Sequence, residues 1–371
     1  MVLCSPSRVG GETHAVSFVK LMGTVPGQMR RRRLRTALRW AASGILVAVQ
    51  VCLDGAAASQ RPDDPAATVQ EARRAYDSGD YGKAVEELKP LAEQYPDNSA
   101  AHFWLARAQY EMRQWDAAIS EAERAVALDT ANSSYHLWLG RAYGMKAEHQ
   151  GFLFGFSLAR KTRIEFEEAV RLDPRNFAAQ QDLIEFYCRA PGIVGGGEDK
   201  GQRSIAELAQ LDATEALYAR ANCARAKKRY DQADAEFDRA LEAKPVRPDV
   251  LYAIAEYEEQ RNRSGPLRQA FRAASAKDPA DPRHGYFQGV LLVMRKERPE
   301  EAERLLKTYA QAPLRQGFPP PSSACVWLGR LYENEGKPGA ALSAYRAALK
   351  SDPKNKVAHE AEEHLRKTER N

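Results

Sequence analysis

A repeat period of 34 residues limits the fold of this chain more than any other feature of its sequence. Trp104 recurs as Trp138 and Ala84 recurs as Ala118, in each case 34 residues later. A unit of this length has room for two helices and a turn, and such a pair is too small to bury its own apolar face. The period therefore predicts a row of helix hairpins in which each hairpin packs on its neighbours.

The clearest unit is Ser322–Asn355, which contains two helical runs. The runs are Ala324–Glu335 and Ala340–Lys350, and the Gly-Lys-Pro-Gly sequence between them predicts a turn. Gly329 stands where the two helices must approach closely, beside larger apolar residues. The second run stops before Pro353, because proline lacks an amide proton and its ring clashes with a preceding helical turn.

This arrangement of small and aromatic residues at a 34-residue period resembles the tetratricopeptide repeat family. Eight units can be placed end to end, with starts at Pro65, Ser99, Ser133, Phe177, Thr214, Pro248, Arg283 and Ser322. The resemblance implies an all-α fold, a right-handed superhelical α-solenoid of about eight helix hairpins with a concave binding groove. It does not identify a partner.

The residues before the repeats have the pattern of an export signal. Residues 29–58 hold a run of arginines, a short apolar stretch and an Ala-Ala-Ala cleavage site, so we expect an N-terminal signal peptide. Two alternatives stay open, an uncleaved membrane anchor and a lipid anchor at Cys52. In each case we expect export, to the periplasm or cell envelope of a bacterial-type cell.

Periodicity and composition predict the remaining boundaries. Residues 1–28 show no periodicity and are either a disordered extension or the result of a start site assigned too early. Residues 59–66 form a linker, 67–355 form the repeat array, and 356–371 form a polar C-terminal capping helix.

The charge distribution argues against a nucleic-acid partner. The chain has 55 basic and 50 acidic side chains, and residues 1–58 carry eight of the basic ones against two acidic ones. The repeats are therefore close to neutral, without the basic stripe that binding to phosphates requires. Contact with a membrane is expected only through an uncleaved leader.

No motif in the sequence predicts catalysis, a cofactor or a metal. His102 and His136 occupy the same place in adjacent units, but no carboxylate or cysteine recurs beside them to complete a ligand set. Carboxylate pairs such as Glu258-Glu259 are interpreted as solvated helix faces. We expect a protein without enzymatic activity.

Cleavage of the leader would leave three cysteines, Cys188, Cys223 and Cys325. Cys188 and Cys223 lie in the first helices of adjacent units, so a bridge between them is conceivable. The odd number of cysteines favours another interpretation, in which all three are small apolar residues at helix contacts.

Two units are longer than the period. The third has about ten extra residues, which we place between its helices at Met145–Lys161, and the fourth has a glycine-rich loop at 191–199, interpreted as a wide turn. We expect the aromatic residues of the first insertion to fold over the apolar residues of the second. They would form a separate small core, which we favour, or the lip of a ligand site: Phe152, Phe154 and Phe156 over Ile193 and Val194.

In the family that the sequence resembles, the first helix of each unit lines the groove. The candidate binding residues that this implies are Phe103, Arg107, Tyr110, Arg141, Tyr218, Asn222, Arg225, Tyr252, Phe287 and Arg330. Aromatic and arginine side chains suit the binding of a peptide, because they offer large contact area and forked hydrogen bonding. The alternative for some of these rings is packing between repeats.

The sequence therefore predicts a non-enzymatic protein-interaction scaffold that binds a peptide or helix of a protein partner in its groove. The second interpretation is a glycan- or peptidoglycan-binding accessory subunit of a cell-envelope assembly, in which the groove aromatics act as stacking platforms. The sequence does not predict the oligomeric state.

Overall fold

Helices follow one another in pairs along the described chain. The computed structural model describes residues 64–150, 152–245, 247–313, 315 and 317–368. Its α-helices are α1 (Pro65–Ser78), α2 (Tyr81–Gln94), α3 (Ser99–Glu111), α4 (Trp115–Leu128), α5 (Ser133–His149), α6 (Phe152–Leu172), α7 (Phe177–Arg189), α8 (Glu198–Leu211), α9 (Ala213–Ala226), α10 (Tyr230–Glu242), α11 (Pro248–Gln260), α12 (Ser264–Lys277), α13 (Arg283–Arg295), α14 (Pro299–Ala310), α15 (Pro321–Asn334), α16 (Pro338–Ser351) and α17 (Lys356–Thr368). The pairs α1–α2 to α15–α16 are eight hairpins, which confirms the predicted all-α solenoid.

Side-chain caps start several of the first helices at fixed places. The side chain of Asn98 accepts a hydrogen bond from the backbone N–H of Ala101, in the first turn of α3, at 3.1 Å. Asn176 accepts one from Ala179 in the first turn of α7, also at 3.1 Å. Because the first N–H groups of a helix have no partner within it, such a cap fixes where the helix begins.

One left-handed residue recurs in the turn between the two helices of a hairpin. Six of the eight turns hold a residue with φ between 55° and 85°, namely Gly79, Arg113, Lys228, Asn262, Lys296 and Gly336. Five of the six, all but Lys296, lie two residues before the second helix, which gives these turns a common geometry, and two of the six are glycine, which adopts this conformation at least cost.

Glycines allow the two helices of a hairpin to approach closely. A Cβ atom added at Gly329 would lie 2.5 Å from the ring of Tyr345, as the sequence predicted for this position. One added at Gly140 would lie 2.6 Å from the ring of Phe166. Each glycine thus leaves room for a large ring from the second helix, and both rings are buried.

The insertion in the third unit lengthens its helices, which corrects the prediction of extra residues between them. Helix α5 has 17 residues and α6 has 21, against 12 to 14 in the other helices of the described chain. Most of the inserted residues continue the helical hydrogen bonding of α5 or α6. The third hairpin is therefore longer than its neighbours.

The glycine-rich loop of the fourth unit contains a short 3-10 turn, Gly192–Val194, which lies against α6. A guanidinium nitrogen of Arg160 on α6 donates to the carbonyl of Ile193 at 3.2 Å. Val194 is buried, whereas the side chain of Ile193 is 66% exposed. The side chains of Phe152 and Phe154 lie outside the described residues, so the proposed small core of phenylalanines stays a prediction.

A disulfide joins Cys188 on α7 to Cys223 on α9, with Cα atoms 5.4 Å apart. The two cysteines belong to the first helices of the fourth and fifth hairpins. The sequence left this bridge as the less favoured interpretation, because an odd number of cysteines gives no sign of which two would pair. Cys325 is buried, as expected for a small residue at a helix contact.

The described residues from Val69 onward form one compact unit. Residues 1–63 lie outside the description, so the predicted signal peptide, the extension before it and most of the predicted linker lie outside it too. Within the described residues, no helix is both long enough and apolar enough to span a membrane.

Candidate partner-binding surface

The candidate site lies on the first helices of the hairpins, which carry the residues that the sequence assigned to the groove. These helices are α1, α3, α5, α7, α9, α11, α13 and α15, and we call the surface that they share the first-helix surface. The predicted residues fall into three groups along it, in the second and third hairpins, the fifth to seventh, and the eighth.

Arg107 stands among aromatic rings from three consecutive first helices. Its guanidinium carbon lies 4.2 Å from the ring centre of Trp104, 4.4 Å from that of Trp138 and 4.4 Å from that of Tyr76. The ring of Phe103 lies 5.5 Å away. Helices α1, α3 and α5 thus meet around one cation, and cation–π attraction holds it in place.

Arg141 lies next along the surface and is paired. It stacks on Trp138 at 4.9 Å and donates from Nε to Asp182 on α7 at 2.6 Å. Burial acts to lower the pKa of the Arg141 guanidinium, but the Asp182 carboxylate outweighs it and the pKa is raised. Tyr110 is buried against Trp138, with ring centres 5.4 Å apart, and burial raises the pKa of its hydroxyl.

A pocket of about 480 Å³ opens between α3, α5, α6 and α7. Its walls include Tyr110, Arg141, Phe186 and Ala159, and both long helices of the third hairpin, α5 and α6, contribute to its lining. At its edge, Arg189 lies 3.1 Å from Glu185 and 3.6 Å from Glu148. The pocket therefore combines an aromatic wall with paired charges.

The second group divides into surface and core residues. Tyr218 and Arg225 on α9 are half-buried, and Asn222 between them is buried. Tyr252 and Phe287 are 1% and 0% exposed, and their rings stack at 5.9 Å. These two rings pack between repeats, so they cannot contact a partner, and their assignment to the groove is corrected.

In the eighth hairpin, Arg330 stacks on Trp327 at 4.3 Å. The indole N–H of Trp327 donates to Glu259 at 2.6 Å, and the Tyr286 hydroxyl donates to the same oxygen at 2.5 Å. Burial raises the pKa of Glu259 to about 7 although both hydrogen bonds lower it. Its neighbour Glu258 is fully buried, so the prediction that this pair is a solvated face was wrong.

The two histidines at equivalent places bind within their own hairpins. His102 bonds to Glu121 on α4 at 2.6 Å, and His136 bonds to Glu165 on α6 at 2.7 Å. The other ring nitrogen of each faces a backbone carbonyl, that of Pro96 or Thr130. Within the ranges that the structure describes, no group of three or more His, Cys, Asp or Glu side chains could hold a metal ion.

Sequence reasoning missed two kinds of residue in this site. Trp104 and Trp138 were not among the predicted binding residues, although their recurrence at 34 residues beside Arg107 and Arg141 was a usable signal. Asp182 and Glu259 gave no signal, because a carboxylate that is paired across repeats looks the same in a sequence as a solvated one.

Family models described as tetratricopeptide repeat match three stretches of the chain. One matches residues 75–142, and a second matches residues 214–247 and 322–355. The last two stretches begin at Thr214 and Ser322, where the sequence placed the starts of two units. No curated protein matches the chain.

Several solved structures resemble the chain at low sequence identity. A thermophilic TPR protein from Thermus thermophilus is 22% identical over 50% of this chain and 94% of its own, with a TM-score of 0.42. A tetratricopeptide repeat protein from Parabacteroides merdae is 13% identical over 81% and 98%, with a TM-score of 0.38. The MamA protein is 19% identical over 48% and 90%, with a TM-score of 0.37.

The repeats indicate a protein-interaction scaffold, which is the usual role of this fold. The period, the row of helix hairpins and the matching family models lead to one conclusion: the chain contains tetratricopeptide repeats, which the family models match at residues 75–142, 214–247 and 322–355.

Proposed function

We propose that this protein is a non-enzymatic scaffold that binds a peptide segment of a partner protein on the first-helix surface. The observation that carries the proposal is the pocket between α3, α5, α6 and α7. Its volume of about 480 Å³ lies within the range of about 300–1,000 Å³ that is usual for binding sites. A pocket of this size accepts one or two large side chains of a peptide.

The lining of the pocket suits a peptide that has both apolar and polar groups. Tyr110 and Phe186 provide ring surface, and the paired charges of Arg189 and Glu185 stand at the edge. Aromatic anchors in a pocket surrounded by polar groups are typical of the residues that dominate binding between proteins. The remaining first helices provide further surface along which an extended segment could continue.

The arginines on the tryptophan rings favour a protein partner over a glycan. A sugar ring stacks on an open aromatic face, but Arg107 lies over both Trp104 and Trp138, and Arg141 lies over Trp138. A glycan would have to displace these cations. We therefore keep glycan binding as an outcome of the test below.

We also propose that the protein is exported, and works in the periplasm or cell envelope. The disulfide between Cys188 and Cys223 supports this, because disulfides persist in oxidising compartments and are rare in the bacterial cytosol. The arginine-rich, apolar leader predicted at 29–58 supports it independently.

The test fills the pocket and measures peptide binding. Dodecamer peptides are selected from a random library on the wild-type protein, and their Kd is measured by fluorescence polarisation. Ala159→Trp places an indole in the pocket, and we expect it to raise Kd about tenfold or more. Ser157→Trp is the matched control, since Ser157 is an exposed residue of the same helix, and it should leave Kd within about twofold.

Circular dichroism must show equal helical content in all three proteins. An equal Kd in all three would place the peptide elsewhere. Binding of muropeptides or chitooligosaccharides, together with failure to bind any dodecamer, would favour the glycan interpretation.

A further inference from the structure

Arg107 is a partly buried cation without a carboxylate partner among the residues that the structure describes. Its Nε atom is screened from solvent and has no hydrogen-bond partner there. Leaving a buried donor without an acceptor is unfavourable, and more so for a charged group. The surrounding rings offset part of this cost, since each cation–π contact stabilises the guanidinium.

The rings leave the hydrogen-bonding edges of the guanidinium to other groups, and among the described residues the Tyr76 hydroxyl uses only part of them. Trp104 and Trp138 contact Arg107 through their ring faces, whereas the five N–H bonds of a guanidinium lie in its own plane. A group stacked in this way is held in one orientation. It is therefore prepared to donate two parallel hydrogen bonds to one acceptor group.

Two other arginines of the first-helix surface already have a carboxylate acceptor. Arg141 donates to Asp182 at 2.6 Å, and Arg283 donates to Asp281 at 2.6 Å. The carboxylate one turn after Arg107 on the same helix, Glu111, accepts a hydrogen bond from the Tyr76 hydroxyl at 3.1 Å.

Arg107 also lies beside the proposed peptide pocket. Trp138 contacts Arg107 at 4.4 Å on one side and the pocket residues Arg141 and Tyr110, at 4.9 Å and 5.4 Å, on the other. One tryptophan therefore separates the guanidinium from the pocket. A peptide with a large side chain in the pocket can place a nearby residue over Arg107.

We propose that Arg107 recognises a carboxylate of the partner, the side chain of an Asp or Glu residue close in sequence to the residue in the pocket. This inference rests on the proposed function and specifies its partner as an acidic peptide. Arginine with its planar fork matches a carboxylate in a bidentate geometry, and the rings around it exclude water from the pair.

The test uses the dodecamers that bind the wild-type protein in the selection described above. Each Asp or Glu of these peptides is replaced singly by Asn or Gln, and Kd is measured against the wild type, Arg107→Met and Arg73→Gln. In the wild type we expect one acidic position at which the change raises Kd about tenfold. In Arg107→Met the acidic peptide and its amide version should bind equally.

Arg73→Gln is the matched control, because Arg73 stacks on the same Trp104 at 5.2 Å but is exposed and paired with Asp77. It should keep the preference for the acidic peptide. The melting temperature is measured for every variant, and we expect Arg107→Met to leave it within about 3 °C of the wild type. Should Arg107→Met not fold, Arg107→Lys replaces it, and the preference should fall below about threefold because an ammonium has no fork.

The possible failures are distinguishable. The role of Arg107 is overturned, and the scaffold proposal stays intact, by either of two results. In one, peptides bind the wild type without preferring the acidic version; in the other, the preference is the same in the Arg107 variant as in the wild type. Failure of every dodecamer to bind the wild type overturns both.

Discussion

His136 fastens the third hairpin through both nitrogens of its ring. Nδ1 lies 2.7 Å from Glu165 on α6, and Nε2 lies 3.2 Å from the carbonyl of Thr130, which precedes α5. Both neighbours are acceptors, so only the doubly protonated ring can donate to each of them. The hydrogen bond with Glu165 raises the pKa of His136, and burial opposes it.

The raised pKa predicts a stability that depends on pH. In the unfolded chain His136 has a pKa near 6.5, so its stabilising effect is fully present below that pH and is lost as pH rises through the higher folded pKa. The test variant is His136→Gln, since Gln180 occupies the equivalent place in the fourth hairpin and donates to the Pro174 carbonyl. We expect the wild type to lose about 1 kcal/mol of unfolding free energy relative to His136→Gln between pH 5.5 and pH 8.5.

Urea unfolding at the two pH values measures this difference. His149→Gln is the control, because His149 is an exposed residue at the end of α5. A difference between wild type and His136→Gln that is the same at both pH values would show that His136 does not act through its charge.

At the scale of the element, the eighth hairpin depends on a glycine where its helices meet. A Cβ at Gly329 would lie 2.5 Å from the ring of Tyr345, which is 1% exposed and is held by a hydrogen bond from its hydroxyl to Glu333. At Gly339, in the first turn of α16, a Cβ would meet no atom within 4 Å. The same substitution should therefore have opposite effects at the two positions.

Gly329→Ala should destabilise the protein by about 1–2 kcal/mol, since the strain of overpacking exceeds the gain in helix propensity. Gly339→Ala should stabilise it by about 0.5 kcal/mol, because alanine reduces the conformational freedom of the unfolded chain. Urea midpoints of the two variants and the wild type measure both effects. Equal midpoints for the two variants would show that α15 and α16 can move apart to accommodate the methyl group without loss of unfolding free energy.

The elements also show what could be predicted from the sequence. The hairpins could be predicted, because every repeat carries the same pattern of small and aromatic residues. A boundary that is ambiguous in one repeat can be placed by comparison with the next. The extra length of α5 and α6 could not be predicted, since their glycines and phenylalanines interrupt the helical spacing of apolar residues while the backbone continues as a helix. The site was predicted in part, because Arg107 and Arg141 lie beside tryptophans in the sequence. The burial of Tyr252 and the hydrogen-bond partners of Glu259 could not be predicted, because they depend on how neighbouring repeats pack, which no local pattern encodes.

At the scale of the whole array, most contacts join a repeat to its neighbour, as in other repeat proteins. Arg315, in the connection between α14 and α15, is an exception. Its guanidinium donates to the carbonyls of Asp77 and Ser78, at the end of α1, more than 230 residues earlier in the chain. The guanidinium fills the space beside Gly79, where even a Cβ atom would collide with it.

This contact predicts that the first hairpin is coupled to a distant one. The Arg315→Ala variant should lose charge-assisted hydrogen bonds to the end of α1, each of which contributes about 1 kcal/mol at an exposed site. Amide hydrogen exchange in the last turn of α1 and the first turn of α2 should then become about fivefold faster, while α9 and α11 keep their wild-type rates. Arg268→Ala, at an exposed position of α12, is the control and should change none of these rates. If exchange in α1 is the same with and without the Arg315 side chain, the first hairpin is stabilised by its neighbour alone and the array behaves as a simple row of repeats.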